Sequence, residues 1–390
     1  MDKLFRVFIF TMLLGLAAGC GNLVKLKLPE ETRQNSENEW LELGKNPQHQ
    51  HYANSNIAPP LEVVWKKRVK SVVADHPLAL GDYIIAPTRS GMMYIVDYES
   101  GEKVGNGKIG HALSNAPVIH DNRLYAGIEV GDKTLVGYNL EKSKRLWGES
   151  YPHISTAPLI DGDNIYFGTN RSLFFCAETG SGAEVWKYKT EAAVQSSPAQ
   201  QGDFIVFGDN KGWLYSLNAE SGKEHWKIRL EGSIFSHPVL DELQVFVGTV
   251  NGKMYSVNLY TGDIIWEKDF EGAIFGSPAL YKNALYFGNN AHEVVALHKE
   301  TGEQIWKFKT RGIVNTVPLP SPDYLYVTSW DKNLYVLNRF SGKLVFKYEL
   351  NKPVKSSPII YRDYLILHTA NDRLIALANE KLIQQRREKK

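Results

Sequence analysis

Cys20 and Cys176 are the chain's two thiols, and neither stands in a CxxC pair or at zinc-ligand spacing. Cys176 lies in Phe174-Phe175-Cys176-Ala177, an apolar context that suits a buried packing residue rather than a reactive thiolate. His49-Gln50-His51 puts two imidazoles on one face of an extended segment, as half of a metal site would. No further His, Cys or carboxylate can be assigned to that pair, so it reads as two solvated histidines. His76, His120, His153, His237, His292, His298 and His368 share no spacing. No Ser-His-Asp arrangement, phosphate-cradling glycine loop or HExxH is present. The expectation is therefore no catalytic residue, no metal site and no bound cofactor. With 45 Lys and Arg against 43 acidic residues the formal charge is only +2, which gives no case for a nucleic-acid partner.

The elements that would position such residues begin with an address. In MDKLFRVFIFTMLLGLAAGCGN, Lys3 and Arg6 form a basic stretch and Val7 to Ala18 is an apolar run. As a helix that run would span about 18 Å, short of a bilayer core of about 30 Å, so it reads as a signal segment over 1–19. Its end, Leu16-Ala17-Ala18-Gly19-Cys20, resembles the lipobox of bacterial lipoproteins, although Ala17 stands where leucine is usual. The resemblance implies that Cys20 receives the lipid. Gly21, rather than aspartate, follows the cysteine, which by the same analogy points to the outer membrane. Residues 20–60 are then an anchor and a mostly polar tether and lead-in. The tail 380–390 ends in the basic Arg386-Arg387-Glu388-Lys389-Lys390 and reads as a solvated terminus.

From there a forty-residue period runs to the end. Pro77, Pro117, Pro158, Pro198, Pro238, Pro278, Pro318 and Pro358 fall in one register. Trp65, Trp147, Trp186, Trp226, Trp266 and Trp306 share a second register, with Phe346 in the tryptophan's place once and Gly105 once. A glycine usually stands four residues earlier, as in Gly182, Gly222, Gly262, Gly302 and Gly342, and Ser143 replaces it before Trp147. Each unit divides into four short alternating segments rich in Val, Phe and Tyr, separated by glycine turns. Four-stranded units of this length predict an all-β fold, an eight-bladed β-propeller of antiparallel blades over 61–379. The last unit runs out before its fourth strand, while 61–69, with Trp65 in the closing phase, has no unit before it. The N-terminal strand 61–69 is therefore predicted to complete the last blade and close the ring, which also removes open sheet edges. The recurring aromatics are expected between neighbouring blades, and Asp97, Asn139, Asn218, Asn258 and Asn338 are expected to bond local backbone in turns.

Units such as Tyr215-Ser-Leu-Asn-Ala-Glu-Ser-Gly-Lys-Glu-His-Trp226 resemble the repeats of pyrroloquinoline-quinone proteins, and the lead-in Trp40…Pro47…Tyr52…Pro59-Pro60-Leu61…Trp65 is similar to the start of many such chains. Two groups share this repeat, quinone-dependent dehydrogenases and non-enzymatic BamB-type lipoproteins that assist outer-membrane barrel assembly. The dehydrogenases commonly use a disulfide between adjacent cysteines, a calcium ion and an aspartate base. One non-lipidated cysteine cannot supply that disulfide, so the chain is expected not to be an enzyme. Length, lipobox and repeat number favour the BamB-like group. That resemblance implies a lipid-anchored scaffold on the periplasmic face of the outer membrane, whose partners are envelope proteins of the barrel-assembly complex. Tyr151 and Trp330, aromatics in predicted turns, are the candidate contacts. The runner-up is a sensory propeller holding a small molecule or glycan in its channel, and a quinone-dependent dehydrogenase comes third.

Overall fold

The computed structural model describes residues 25–26, 38–113, 115–370 and 373–388. The predicted signal segment 1–19 and Cys20 lie outside the described residues, as do part of the predicted tether and the last two residues.

Glycine and asparagine turns every few residues forbid long elements, and alternating apolar side chains make each short strand bury one or both faces. The outcome is eight four-stranded antiparallel sheets. Seven of them use consecutive strands, running from a short inner strand that starts immediately after the repeat proline to an outer strand that carries the repeat aromatic in six blades and Gly105 in one. The two middle strands hold the core. Phe204–Gly208 and Trp213–Asn218, for example, are buried almost throughout. The outer strand Glu224–Arg229 alternates exposed charge with Trp226 facing inward.

The eighth blade is shared by both ends of the chain. Strands Ile359–Tyr361, Tyr364–Thr369 and Arg373–Asn379 are completed by Leu61–Arg68, antiparallel to the last of them with Leu61 opposite Asn379 and Trp65 opposite Ala376. This is the closure expected from 61–69. The C-terminal segment then forms a short helix, Glu380–Glu388, whose Leu382 and Ile383 pack on the closing blade.

Neighbouring blades are joined by one repeated contact. Each repeat tryptophan lies on the outer turn of the next blade and donates its indole N–H to a carbonyl there. Trp186 bonds Ala219 O at 3.1 Å, Trp226 bonds Leu259 O at 2.8 Å and Trp306 bonds Arg339 O at 2.9 Å. The glycine of that turn has positive φ, and at Gly222 an added Cβ would stand 2.6 Å from the Trp186 ring. The glycine and the tryptophan of one contact thus belong to different units. The exceptions then pair up. Gly105 offers no ring, and the facing turn of the next blade is the one that carries Ser143 instead of glycine. Phe346 faces the blade whose outer strand comes from the chain's start, so no outer turn is there for an indole to meet. In the turns themselves, Asn218 Oδ1 accepts the Ser221 N–H at 2.9 Å and Asn258 Oδ1 the Thr261 N–H at 3.0 Å, as expected of that position.

Gly222→Ala should lower unfolding stability by about 1–3 kcal/mol in urea titration, through contact with the Trp186 ring and a φ unsuited to alanine. Ser143→Gly, at the joint without a ring, should change it by less than about 0.5 kcal/mol.

Candidate functional site at the propeller axis

The described lead-in winds across one end of the ring as a plug. Trp40 is fully buried, donates its indole N–H to Ile360 O at 2.7 Å and pairs through its backbone with Ala79. Further along, the Pro47, Gln48 and Gln50 carbonyls accept the N–H groups of Gln200, Leu240 and Leu280 at 2.8, 3.0 and 2.9 Å. Those three donors are equivalent residues of successive blades. The Ala53 N–H continues the path to Pro320 O at 2.9 Å. The coil this requires places Gly44, Lys45, His49 and His51 at positive φ.

His49 and His51 are the point where the sequence reading fails. Neither is solvated: they are 4% and 1% exposed and project into the axis beside His76 and His237. The His49 and His237 ring centroids are 6.1 Å apart, those of His51 and His76 5.7 Å, and Trp40 packs edge-on against His51 at 5.0 Å. Burial is the main cause holding all four imidazoles below the usual histidine range, with His49 down to about 3. Their neutral tautomers are fixed by the backbone. His49 and His51 bond the Pro238 and Pro358 backbone, and His76 Nδ1 donates to Pro77 O at 2.9 Å. His237 Nδ1 instead accepts the Ser197 N–H at 2.8 Å. One ring nitrogen each on His49 and His51 is left without a partner.

His237 belongs to a ring of bonds between residues that precede the repeat prolines. Ala157 N–H donates to Ser197 Oγ, His237 N–H to Ser277 Oγ, Val317 N–H to Ser357 Oγ, and Ser357 N–H to Asp75 O, at 2.7–3.0 Å. The proline register thus ties neighbouring blades around the axis, while the tryptophan register ties them at the outside.

A cavity of about 130 Å³ remains at the axis, lined by the four histidines, Asp75, Asn315 and Lys355. It does not fit a quinone with a calcium ion. Cofactor pockets run to about 300–1,000 Å³, and calcium asks for six to eight oxygens where this floor is largely imidazole. Among the described residues no group of three or more His, Cys, Asp or Glu is placed to hold a metal ion. Cys176 is fully buried and its thiol is pushed up to about 12 by desolvation, so it is a packing residue.

On the end away from the plug, the cavity continues into a funnel of about 310 Å³ lined by Val72, Arg89, Asn315, Trp330 and Lys355. Trp330 is 41% exposed there, with the Lys355 ammonium 5.4 Å from its ring. Tyr151 is packed differently. Its hydroxyl donates to Gly182 O at 2.7 Å and its ring meets Phe167 and Phe175 edge-on. The two aromatics belong to distant blades and do not form one patch.

Two family models match the chain. One is described as the β-propeller of beta-alanine-activating enzyme and covers residues 132–383, and the other as outer membrane protein assembly factor BamB and covers 57–188. No curated protein sequence matches. Among solved structures, BamB from Moraxella catarrhalis is 19% identical, with 82% of this chain and 99% of that one covered at a TM-score of 0.69. A europium-containing methanol dehydrogenase is 11% identical, with 87% and 91% covered at 0.77. The quinohemoprotein alcohol dehydrogenase from Comamonas testosteroni is 10% identical, with 89% and 81% covered at 0.77. At these identities the likeness is one of fold.

The four buried imidazoles should contribute stability that is full above about pH 7 and is lost as pH drops below about 6.5, for His49 down to about 3, because the unfolded chain takes up protons that they refuse; the buried Glu42, pushed up to about 8, opposes them between about pH 4.5 and 8. His49 adds a slope that approaches about 1.4 kcal/mol per pH unit between about pH 6.5 and 3. In urea midpoints measured against pH, His49→Leu should show a shallower fall than the parent; an unchanged slope would remove His49 from the account.

Proposed function

The chain belongs to the β-propeller family described as that of beta-alanine-activating enzyme, as a propeller of quinone-type repeats that resembles BamB, and from that premise we propose a non-enzymatic scaffold of the bacterial envelope. On this reading it is anchored by a lipid at Cys20, faces the periplasm from the outer membrane, and binds other envelope proteins through its turns. Its specific role is to assist the assembly of outer-membrane β-barrel proteins.

The observation that carries the reading is the plugged axis. Catalytic and cofactor-binding propellers need room at the centre, whereas here the lead-in fills one end of the channel with buried, neutral side chains. What stays available for partners is the set of turns, held in fixed relation by rigid blades. The end bearing Trp330 is the proposed docking end, since the other is covered by the lead-in. The match to the BamB family model over 57–188 and the fold likeness to BamB from Moraxella catarrhalis support the barrel-assembly version. Among the described residues no helix is long and apolar enough to cross a membrane, so attachment on this reading rests on Cys20.

Affinity purification from the native envelope after mild crosslinking should recover a barrel insertase with accessory lipoproteins, and Trp330→Ala should reduce that recovery. Clean recovery of the propeller without such a complex would sink the barrel-assembly role. Cys20→Ala should move the protein from the membrane pellet to the soluble fraction, and retention in the pellet would refute lipid anchoring at that residue.

A further inference from the structure

The joint between the closing blade and the first blade lacks a side chain that other joints have. Two residues after the repeat aromatic, the outer strand carries Tyr188, Phe308 and Tyr348 in three blades and Ile228 in a fourth. Tyr188 packs edge-on against Tyr215 of the next blade with ring centroids 5.8 Å apart, and Phe308 against Tyr335 at 5.4 Å. In the first blade the equivalent of Tyr215 is Tyr94, and Lys67 stands where its ring partner would be. Lys268 occupies the same position in another blade, but there Phe270, two residues on, covers the joint by packing on Phe287 at 5.0 Å. The closing blade has the smaller Val69 at that place.

A cavity of about 160 Å³ is left there. Its buried lining is Val69, Tyr94 and Val96, and the rest is half-buried Lys67 with exposed Arg68, Lys70 and Lys103. An apolar cavity of about 150 Å³ is large enough to take a benzene ring. No carboxylate lines this one, and among the described residues none of the four cations forms an ion pair. Elsewhere the repeat places acids at these positions, with Glu191, Glu231 and Glu271 in place of Lys70 and Glu184 and Glu224 in place of Lys103. At the joint of Tyr188 they are used: the tyrosine hydroxyl donates to Glu224, and Lys227 pairs with Glu191 at 3.4 Å.

Both things that complete the joint of Tyr188, a ring and a carboxylate, are therefore missing at one place, and cations stand around the gap. A ligand that brings a ring with carboxylates beside it supplies both, whereas a lipid headgroup would bring charge without the ring. We propose that this crevice binds an acidic peptide segment of a protein partner, with one Phe or Tyr ring against Tyr94 and the neighbouring carboxylates on Lys67, Arg68, Lys70 and Lys103. The inference rests on the scaffold reading only in taking the partner to be a protein. Its position suits that reading, since the chain passes from Val69 in the crevice to Val72 in the funnel beside Trp330.

Calorimetric titration of the purified full chain with the probe acetyl-Glu-Glu-Phe-Glu-Glu-amide tests it. Saturable binding is expected, weaker by about tenfold or more for the same peptide with alanine in place of phenylalanine. Lys67→Phe restores the ring found in the Phe308 blade, so it should weaken binding about tenfold or more while leaving the urea midpoint equal or higher. Lys70→Glu should weaken binding by about threefold or more without filling the cavity, and it decides alone should Lys67→Phe prove unstable. Trp330→Ala should leave binding unchanged. Absence of saturable binding at millimolar peptide, equal binding of the alanine peptide, or binding undiminished in Lys67→Phe overturns the proposal. So does binding to phosphatidylglycerol vesicles that Lys67→Phe removes when the peptide itself does not bind. Recovery of a barrel insertase is a separate readout: its failure with peptide binding intact removes the barrel-assembly role and leaves the crevice.

Discussion

Everything in this molecule depends on the circle closing. A blade alone has an inner strand of two or three residues and an outer strand that is half exposed, which is too little to stand by itself. Each becomes stable by packing on two neighbours, and the first and last units gain their second neighbour only because Leu61–Arg68 pairs with Arg373–Asn379. That one antiparallel contact joins residues more than three hundred positions apart. Its loop-closure entropy grows only slowly with length, whereas the blade interfaces it completes bury aromatic surface at both ends of the chain.

Closure also explains why the repeat is irregular where it is. The tryptophan of one unit and the glycine of the following unit form a single contact, so a departure in either is matched in the other. Gly105 and Ser143 belong to one joint, and the Ser143 backbone keeps positive φ even without the ring above it. Phe346 stands at the joint where the outer turn has been replaced by the chain ends, and it packs with Leu382 of the terminal helix against the closing blade.

The blade number, the shared last blade and the aromatic joints were legible because each rests on a periodic, local signal. Proline and tryptophan registers repeat every forty residues, and strand alternation is read within six. The lead-in was not legible in the same way. Its partners are Gln200, Leu240, Leu280 and Pro320, met in order through backbone groups that carry no side-chain signature. His49 and His51 looked solvated because Gln, Asn and Lys surround them, and the surface that buries them comes from blades far along the chain. The available hint was the pair of units that read His76-Pro77 and His237-Pro238 where the rest have serine, alanine or valine before proline. A histidine at that position is what meets a histidine of the plug.

The plug sets different chemistry at the two ends of the propeller. It adds a tyrosine, glutamines and glutamates to the end it covers, so that the two cavities there have walls from both the lead-in and the blades. The other end keeps the repeat's own turns, with Arg89, Trp330 and Lys355 around the funnel. Among the described residues Lys355 and Arg89 form no ion pair, so the funnel sets two cations against the one carboxylate of Asp75 beside an exposed indole. An indole flanked by cations suits a protein surface, where aromatic and arginine side chains dominate binding energy. The segment that closes the axis therefore also decides which end of the ring keeps the repeat's own turns open to a partner.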